Sequence, residues 1–301
     1  MANLTKQMLK LAGFDARLCW IGTKHIAYNY SIPSLSVDNH MICVVIKDGK
    51  RYFLDGTEKF NSFKEYADRI QGKEVMIEDG EKFIIDKIPT YDALSNKEIY
   101  NVNYTIENET LKGKVDKEFF GESRTSFLYT YNSIKNDKKE EAIKYYISSG
   151  DKNYNVSNIS TSDLSNRDAN VKISYDVAIN NHVSSFGDEI YIDLDYDKEY
   201  KFLDFSERKE DILLNYKAFD DIKITLQIPT GYTVKKLPEN VNIKSKDYEI
   251  SMNFEVKNNS ILYHKVFNFK NGIIKKNDFE LSKKDFETIK KLYAEQIVLS
   301  K

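Results

Sequence analysis

Strict alternation of apolar and polar residues runs through the last two thirds of the chain and constrains its fold more than any other feature. Tyr100, Val102, Tyr104 and Ile106 alternate with polar residues, and so do Val171, Ile173, Tyr175, Val177 and Ile179. The same pattern returns at Ile190–Leu194, Ile222–Ile228 and Tyr248–Val256. Successive side chains of a strand point to opposite faces, so each run buries one face and wets the other. From about Lys97 onward the spacing predicts a β-rich, sandwich-like region of antiparallel strands. A few helices interrupt it: Glu122 to Ile134, a second after the capping box Asp137-Lys138-Lys139-Glu140, and a third after Ser282 with Phe286, Ile289, Leu292 and Tyr293 as its stripe. A last strand is expected at Gln296–Leu299.

The first ninety residues read differently. Leu4, Met8 and Leu11 form an apolar stripe on a helix that stops at Gly13. A strand follows through Leu18-Cys19-Trp20-Ile21, and Pro33-Ser34-Leu35-Ser36-Val37 leads into Asp38-Asn39-His40. His40-Met41-Ile42-Cys43-Val44-Val45-Ile46 and Arg51-Tyr52-Phe53-Leu54-Asp55 then flank Asp48-Gly49, a strong hairpin signal. Lys47 opposite Lys50 puts Ile42 opposite Asp55. His40 shares the face of Ile42, which makes His40 and Asp55 diagonal neighbours within side-chain reach. A histidine held by a carboxylate is the base-and-orienter part of a Cys-His-Asp or Ser-His-Asp triad. Ser62-Phe63-Lys64-Glu65 reads as another capping box opening a helix to Ile70, and two short strands follow before Ile88-Pro89.

A nucleophile is harder to find. The chain has two cysteines. Cys43 lies three residues beyond His40 on the same strand and should face the other way, opposite Leu54. Cys19 reads as a core residue, a common place for a free thiol. The four histidines, His25, His40, His182 and His264, are scattered, so no metal site and no cofactor is expected. His182 and His264 read as structural. The 21 tyrosines and 17 phenylalanines fall mostly on inward positions and read as core.

Forty-five basic against forty-seven acidic residues give a net charge of −2 with the two signs interleaved, which argues against nucleic acid as a partner. No apolar run spans a bilayer, so no transmembrane segment is expected.

The helix, the Gly13-Phe14-Asp15-Ala16-Arg17 strand, the Asn39-His40 strand and Leu54-Asp55-Gly56-Thr57 follow in the order of the transglutaminase-like cysteine enzyme superfamily, which this region closely resembles. Ile21-Gly22-Thr23 through Tyr28-Asn29-Tyr30-Ser31-Ile32-Pro33-Ser34 to Asn39-His40-Met41-Ile42-Cys43 resembles one bacterial branch, whose core lies between β-rich domains of unknown function. Ile70-Gln71-Gly72-Lys73 and Ile88-Pro89 resemble the exit from that core. The resemblance implies that His40 is the catalytic histidine and Asp55 the catalytic aspartate. Gly56 stands where the family usually has Ala. The family's nucleophilic Cys would fall upstream of Met1.

The expected fold class is therefore α+β: a truncated transglutaminase-like (papain-like) core followed by a β-rich, sandwich-like region. The expected divisions are 1–90 for the core, 91–205 for a β-rich region with two helices, and 206–301 for a β-rich C-terminal region with a terminal helix. The resemblance implies the C-terminal fragment of a cysteine protease or acyltransferase acting on a peptide or protein substrate, inactive alone without its Cys. The alternative is a non-catalytic binding or scaffolding protein. Family members are typically exported, which implies a periplasmic or cell-envelope location. A truncated core would also expose apolar surface that a second copy could cover.

Overall fold

The computed structural model describes residues 1–32, 34 and 36–301. Pro33 and Leu35, part of the lead-in to His40, lie outside the described residues. The chain divides into two units, one of Met1–Asp92 with Ser165–Ala169, the other of Ala93–Leu164 with Asn170–Lys301.

In the first unit, α1 (Ala2–Leu11) precedes β1 (Asp15–Ile21), β2 (His40–Lys47), β3 (Lys50–Leu54), β4 (Glu74–Asp79) and β5 (Lys82–Lys87). The strands form one antiparallel sheet in the order β3-β2-β1-β4-β5. One face buries Cys19, Ile21, Ile42, Val44 and Phe53 with Ile70 and Ile88. The other buries Ala16, Cys43 and Val45, against which Leu9, Tyr52 and Leu54 pack.

The helix α1 is turned relative to expectation. Leu4, Met8 and Leu11 are exposed, whereas Ala2 and Lys6 are buried. Lys6 Nζ reaches Glu78 Oε1 at 2.7 Å, and the same carboxylate accepts the Leu18 backbone N–H at 3.1 Å. That half-buried ion pair holds the Lys6 face of the helix against the sheet. The Ser62 capping box opens no helix either. Glu65 does accept the Ser62 N–H at 2.8 Å, but Lys64 takes φ +73°, outside the right-handed helical region. Only a 3-10 turn, Asp68–Ile70, follows.

The second unit contains β6 (Lys97–Glu107), β7 (Thr110–Phe119), α2 (Gly121–Ser133), α3 (Lys139–Ser148), β8 (Tyr154–Thr161), β9 (Val171–Ile179), β10 (Val183–Phe186), β11 (Glu189–Ile192), β12 (Ile212–Leu213), β13 (Phe219–Gln227), β14 (Thr233–Lys236), β15 (Val241–Lys244), β16 (Tyr248–Lys257), β17 (Ser260–Phe269), β18 (Ile273–Ile274), α4 (Phe279–Leu292) and β19 (Ile297–Ser300). Eight strands make one sheet, β15-β16-β17-β13-β6-β7-β9-β8, and four more make a second, β10-β11-β19-β14. Phe286 of α4 packs edge-on against Tyr248 of β16, and Phe127 of α2 stacks on Phe119 of β7.

Two expectations are corrected here. The fold is mostly β, 41% strand against 20% helix in several sheets, rather than α+β with a truncated papain-like core. The missing helix after Ser62 is one reason. A division between 91–205 and 206–301 is also overturned, because β13 pairs in parallel with β6 and one sheet runs through both segments. Among the described residues no helix is long and apolar enough to cross a membrane, which says nothing of a β-barrel.

Candidate active site

The site grows out of the β2–β3 hairpin. Asp48 and Gly49 both have positive φ, as a type I′ turn requires, and this turn locks Lys47 opposite Lys50 and Cys43 opposite Leu54. The register leaves His40 as the first residue of β2 and Asp55 as the residue after β3, at the same end of the hairpin. Asn39 fastens the entry: its Oδ1 accepts the Thr23 N–H at 2.9 Å and its own N–H reaches Ile21 O at 3.2 Å.

His40 Nε2 and Asp55 Oδ2 lie 2.7 Å apart, with the Asp55 side chain only 7% exposed. The other carboxylate oxygen, Oδ1, accepts the Thr57 backbone N–H at 3.0 Å and its hydroxyl at 2.7 Å. A carboxylate held at one oxygen and offered to a ring nitrogen at the other selects the tautomer with hydrogen on Nε2. Nδ1 then carries a bare lone pair. Among the described residues Nδ1 has no hydrogen-bond partner. A cavity of about 510 Å³ adjoins Asp55, lined by Thr5, Phe53, Gly56, Tyr66 and Arg167 among others. The first turn of α1 stands beside it; a methyl on Gly56 would lie 3.4 Å from Met1 Cβ and 3.6 Å from Thr5 Oγ1.

The two cysteines are free and buried. Cys43 lies on the face opposite His40, among Ala16 and Val45. Burial pushes its thiol up to about 11. Cys19 pairs with Ile42 across β1 and β2, so it shares the His40 face, but it is sealed in the apolar cluster. Burial raises its thiol further still, with the Cys43 thiol adding to the effect. Among the described residues neither sulfur hydrogen-bonds the imidazole.

Sequence reasoning missed Arg69. Its Nη2 lies 2.9 Å from Asp55 Oδ2 and 3.0 Å from Thr57 Oγ1, while Nε donates to Glu58 Oε1 at 2.8 Å. It also missed a charged cluster in the second unit. There Glu98, Tyr100, Lys117, Asp197, Glu199 and Asp220 line a cavity of about 400 Å³. Beside it the buried Lys265 reaches Asp195 Oδ1 at 2.7 Å and also pairs with Glu199. Each of Glu98, Lys117, Asp220 and Lys265 occupies an inward position of an alternating strand, which is the one signal that could have found them. His264 pairs with Asp221 at 2.8 Å, and His182 Nδ1 lies 2.9 Å from Asp193 O.

The family model for DUF3858, a domain of unknown function with a solved structure, matches residues 190–299. No curated protein matches the chain. Among solved structures, a putative protease from Parabacteroides distasonis is similar over all of this chain, with a TM-score of 0.51 at 10% identity. This chain covers 43% of that protein's length. At that identity the likeness concerns the fold alone.

Proposed function

We propose that this chain carries the base and its orienting acid of a transglutaminase-like cysteine protease or acyltransferase. The observation that carries the reading is the His40–Asp55 pair, 2.7 Å apart at one end of a hairpin, with Nδ1 left free to accept a proton. The match over residues 190–299 and the likeness to a protein described as a protease support it. In that chemistry a cysteine sulfur attacks the carbonyl carbon of a peptide or glutamine amide. His40 takes the thiol proton at Nδ1 and returns it to the departing amine, while Asp55 holds Nε2–H in place. The thioester is then cleaved by water or by an acceptor amine. Neither Cys19 nor Cys43 is placed for the attack, so the chain as it stands transfers no acyl group. The same two buried thiols favour a second reading, a binding or scaffolding protein of the cell envelope.

The test is a cysteine-reactive probe carrying a peptide-like acyl group, applied to the chain alone and to a form extended with the coding sequence found in frame upstream of Met1. The proposal expects no His40-dependent labelling of the chain alone and rapid labelling of a new cysteine in the extended form. If the upstream sequence brings no cysteine, or one whose labelling ignores His40→Ala, the scaffolding reading takes its place.

A further inference from the structure

Among the described residues two histidine–aspartate pairs have nearly the same length, 2.7 Å at His40–Asp55 and 2.8 Å at His264–Asp221, and of these two only the first has an arginine on it. His264 and Asp221 lie on neighbouring strands, β17 and β13, with side chains 37% and 27% exposed. The nearest cation, Lys223 Nζ, stands 3.7 Å from the carboxylate oxygen that His264 does not use. At His40 the arrangement is different. Arg69 Nη2 sits 2.9 Å from Asp55 Oδ2, the very oxygen that holds the imidazole, and 3.4 Å from His40 Nε2 itself.

Arg69 is itself held. It belongs to the 3-10 turn Asp68–Ile70, whose Ile70 is buried in the core of the unit. Its carbonyl accepts the Lys24 N–H at 2.7 Å, and Lys24 Nζ ties back to Asp68 at 2.7 Å. Beyond Asp55, the guanidinium spans Glu58 and Thr57. The planar fork therefore bridges two carboxylates from a fixed backbone position, with N–H groups in a rigid relative orientation that an ammonium does not supply.

From this geometry we infer that Arg69 is a positioning residue for His40, acting through Asp55. Thr57 grips Oδ1 and Arg69 grips Oδ2, so the carboxylate cannot turn about its terminal bond. Oδ2 thus stays aimed at the ring. Arginine can only donate, so it competes with Nε2–H for the oxygen without offering the ring an acceptor of its own. With Arg69 in place Oδ2 stays on the ring, and the 2.7 Å contact is used by the tautomer with Nε2–H on Oδ2 and Nδ1 bare, against the longer 3.4 Å Arg69 contact that only an unprotonated Nε2 could accept. Without it Oδ2 loses one of its two anchors, and the ring gains freedom to exchange tautomers and tilt. The inference rests on the proposed role of His40 as a base, but it is read out without any acyl transfer.

The experiment is nitrogen-15 NMR of the histidine rings in the whole chain, above the range where imidazole is protonated. Wild type should show His40 in one tautomer, with Nε2 carrying hydrogen. Arg69→Gln and Arg69→Ala should move both His40 nitrogens toward the averaged shifts of a free imidazole. Arg69→Lys should recover only part of the wild-type pattern. His264 serves as the internal control and should not move in any variant. Should Arg69→Ala fail to fold, Glu58→Gln loosens the guanidinium from its far side and should give an intermediate pattern. Wild-type His40 shifts in folded Arg69→Ala and Arg69→Gln would overturn the inference. That outcome would leave the acyl-transfer reading standing, since the labelling experiment decides it independently.

Discussion

Glu98 and Asp220 occupy the same register position on two adjacent parallel strands, so their carboxylates stand side by side on one face of the sheet. Tyr200 donates its hydroxyl to Asp220 Oδ2 at 2.7 Å, and Ser123 donates to Glu98 Oε1 at 2.5 Å. Burial, then the Glu98 charge, pushes the Asp220 carboxyl from 3.8 up to about 8, with Glu199 adding to the rise and Tyr200 and Lys265 opposing it. The folded chain therefore holds this proton more tightly than the unfolded chain. Its contribution to stability is full below the ordinary value and is lost as pH rises through about 8. Asp220→Asn removes that dependence. Urea unfolding from pH 4 to 9 should show the variant gaining on wild type as pH rises, then levelling off. A difference that stays flat across this range would contradict the assignment.

Lys265 is enclosed on β17, its side chain 1% exposed, with Asp195 and Glu199 as its counter-ions. Tyr263 also donates to Asp195 Oδ2, at 3.1 Å. Replacing the lysine by an apolar residue leaves the buried Asp195 and the partly buried Glu199 without their shared cation. Removing one partner of a buried ion pair costs about 3–5 kcal/mol. Lys265→Met should lose stability on that scale in denaturant unfolding. Tyr263→Phe should cost less, about 1–2 kcal/mol, because Lys265 continues to hold Asp195.

Both cysteines should be slow toward alkylation in the folded chain. The Cys43 thiol is raised to about 11 by burial, and Cys19 is raised further. At neutral pH almost no thiolate is present, and the thiolate is the reactive form. Mass spectrometry after brief treatment with iodoacetamide should find both unmodified, with full modification only in denaturant. Rapid modification of Cys19 in the folded chain would show that the apolar face beneath His40 opens.

Two glycines should respond very unequally to alanine. At Gly56 the added methyl meets atoms at ordinary van der Waals distance. Gly56→Ala should therefore change the stability to unfolding little, within about 0.5 kcal/mol. At Gly113, on β7, the methyl would lie 2.4 Å from the Asn103 carbonyl oxygen of β6. Gly113→Ala must push two paired strands apart and should cost about 1–3 kcal/mol.

Where short-range rules determined geometry, the sequence was readable. The His40–Asp55 approach follows from one turn and a period of two, and the register Lys47–Lys50 is the one counted from Asp48-Gly49. Arg69 was invisible because it reaches the pair from a 3-10 turn 14 residues beyond Asp55, where the pattern suggested a helix. The rotation of α1 was misread for a related reason. Apolar spacing pointed to Leu4, Met8 and Leu11, but the partner that holds the Lys6 face is Glu78, far along the chain on β4. The parallel pairing of β6 with β13 had no local signature at all. Alternation announces a strand but does not name its neighbour. Lys265, Asp220 and Glu98 sat openly on inward positions, and their charges pair only once separate strands are brought together.

The pairing of β6 with β13 also sets an order of assembly. Hairpin β6–β7 and its neighbour β9 are complete by residue 179, but the edge of β6 waits for Phe219–Gln227. During synthesis at about 5–20 residues per second, an open strand edge therefore stands exposed for several seconds before its partner emerges. Such an edge is a template for any other extended chain. Yield and solubility of this protein should accordingly depend on translation speed between Asn180 and Phe219. Slow codons there would prolong the vulnerable interval, and slow codons after Phe269 would come too late to matter.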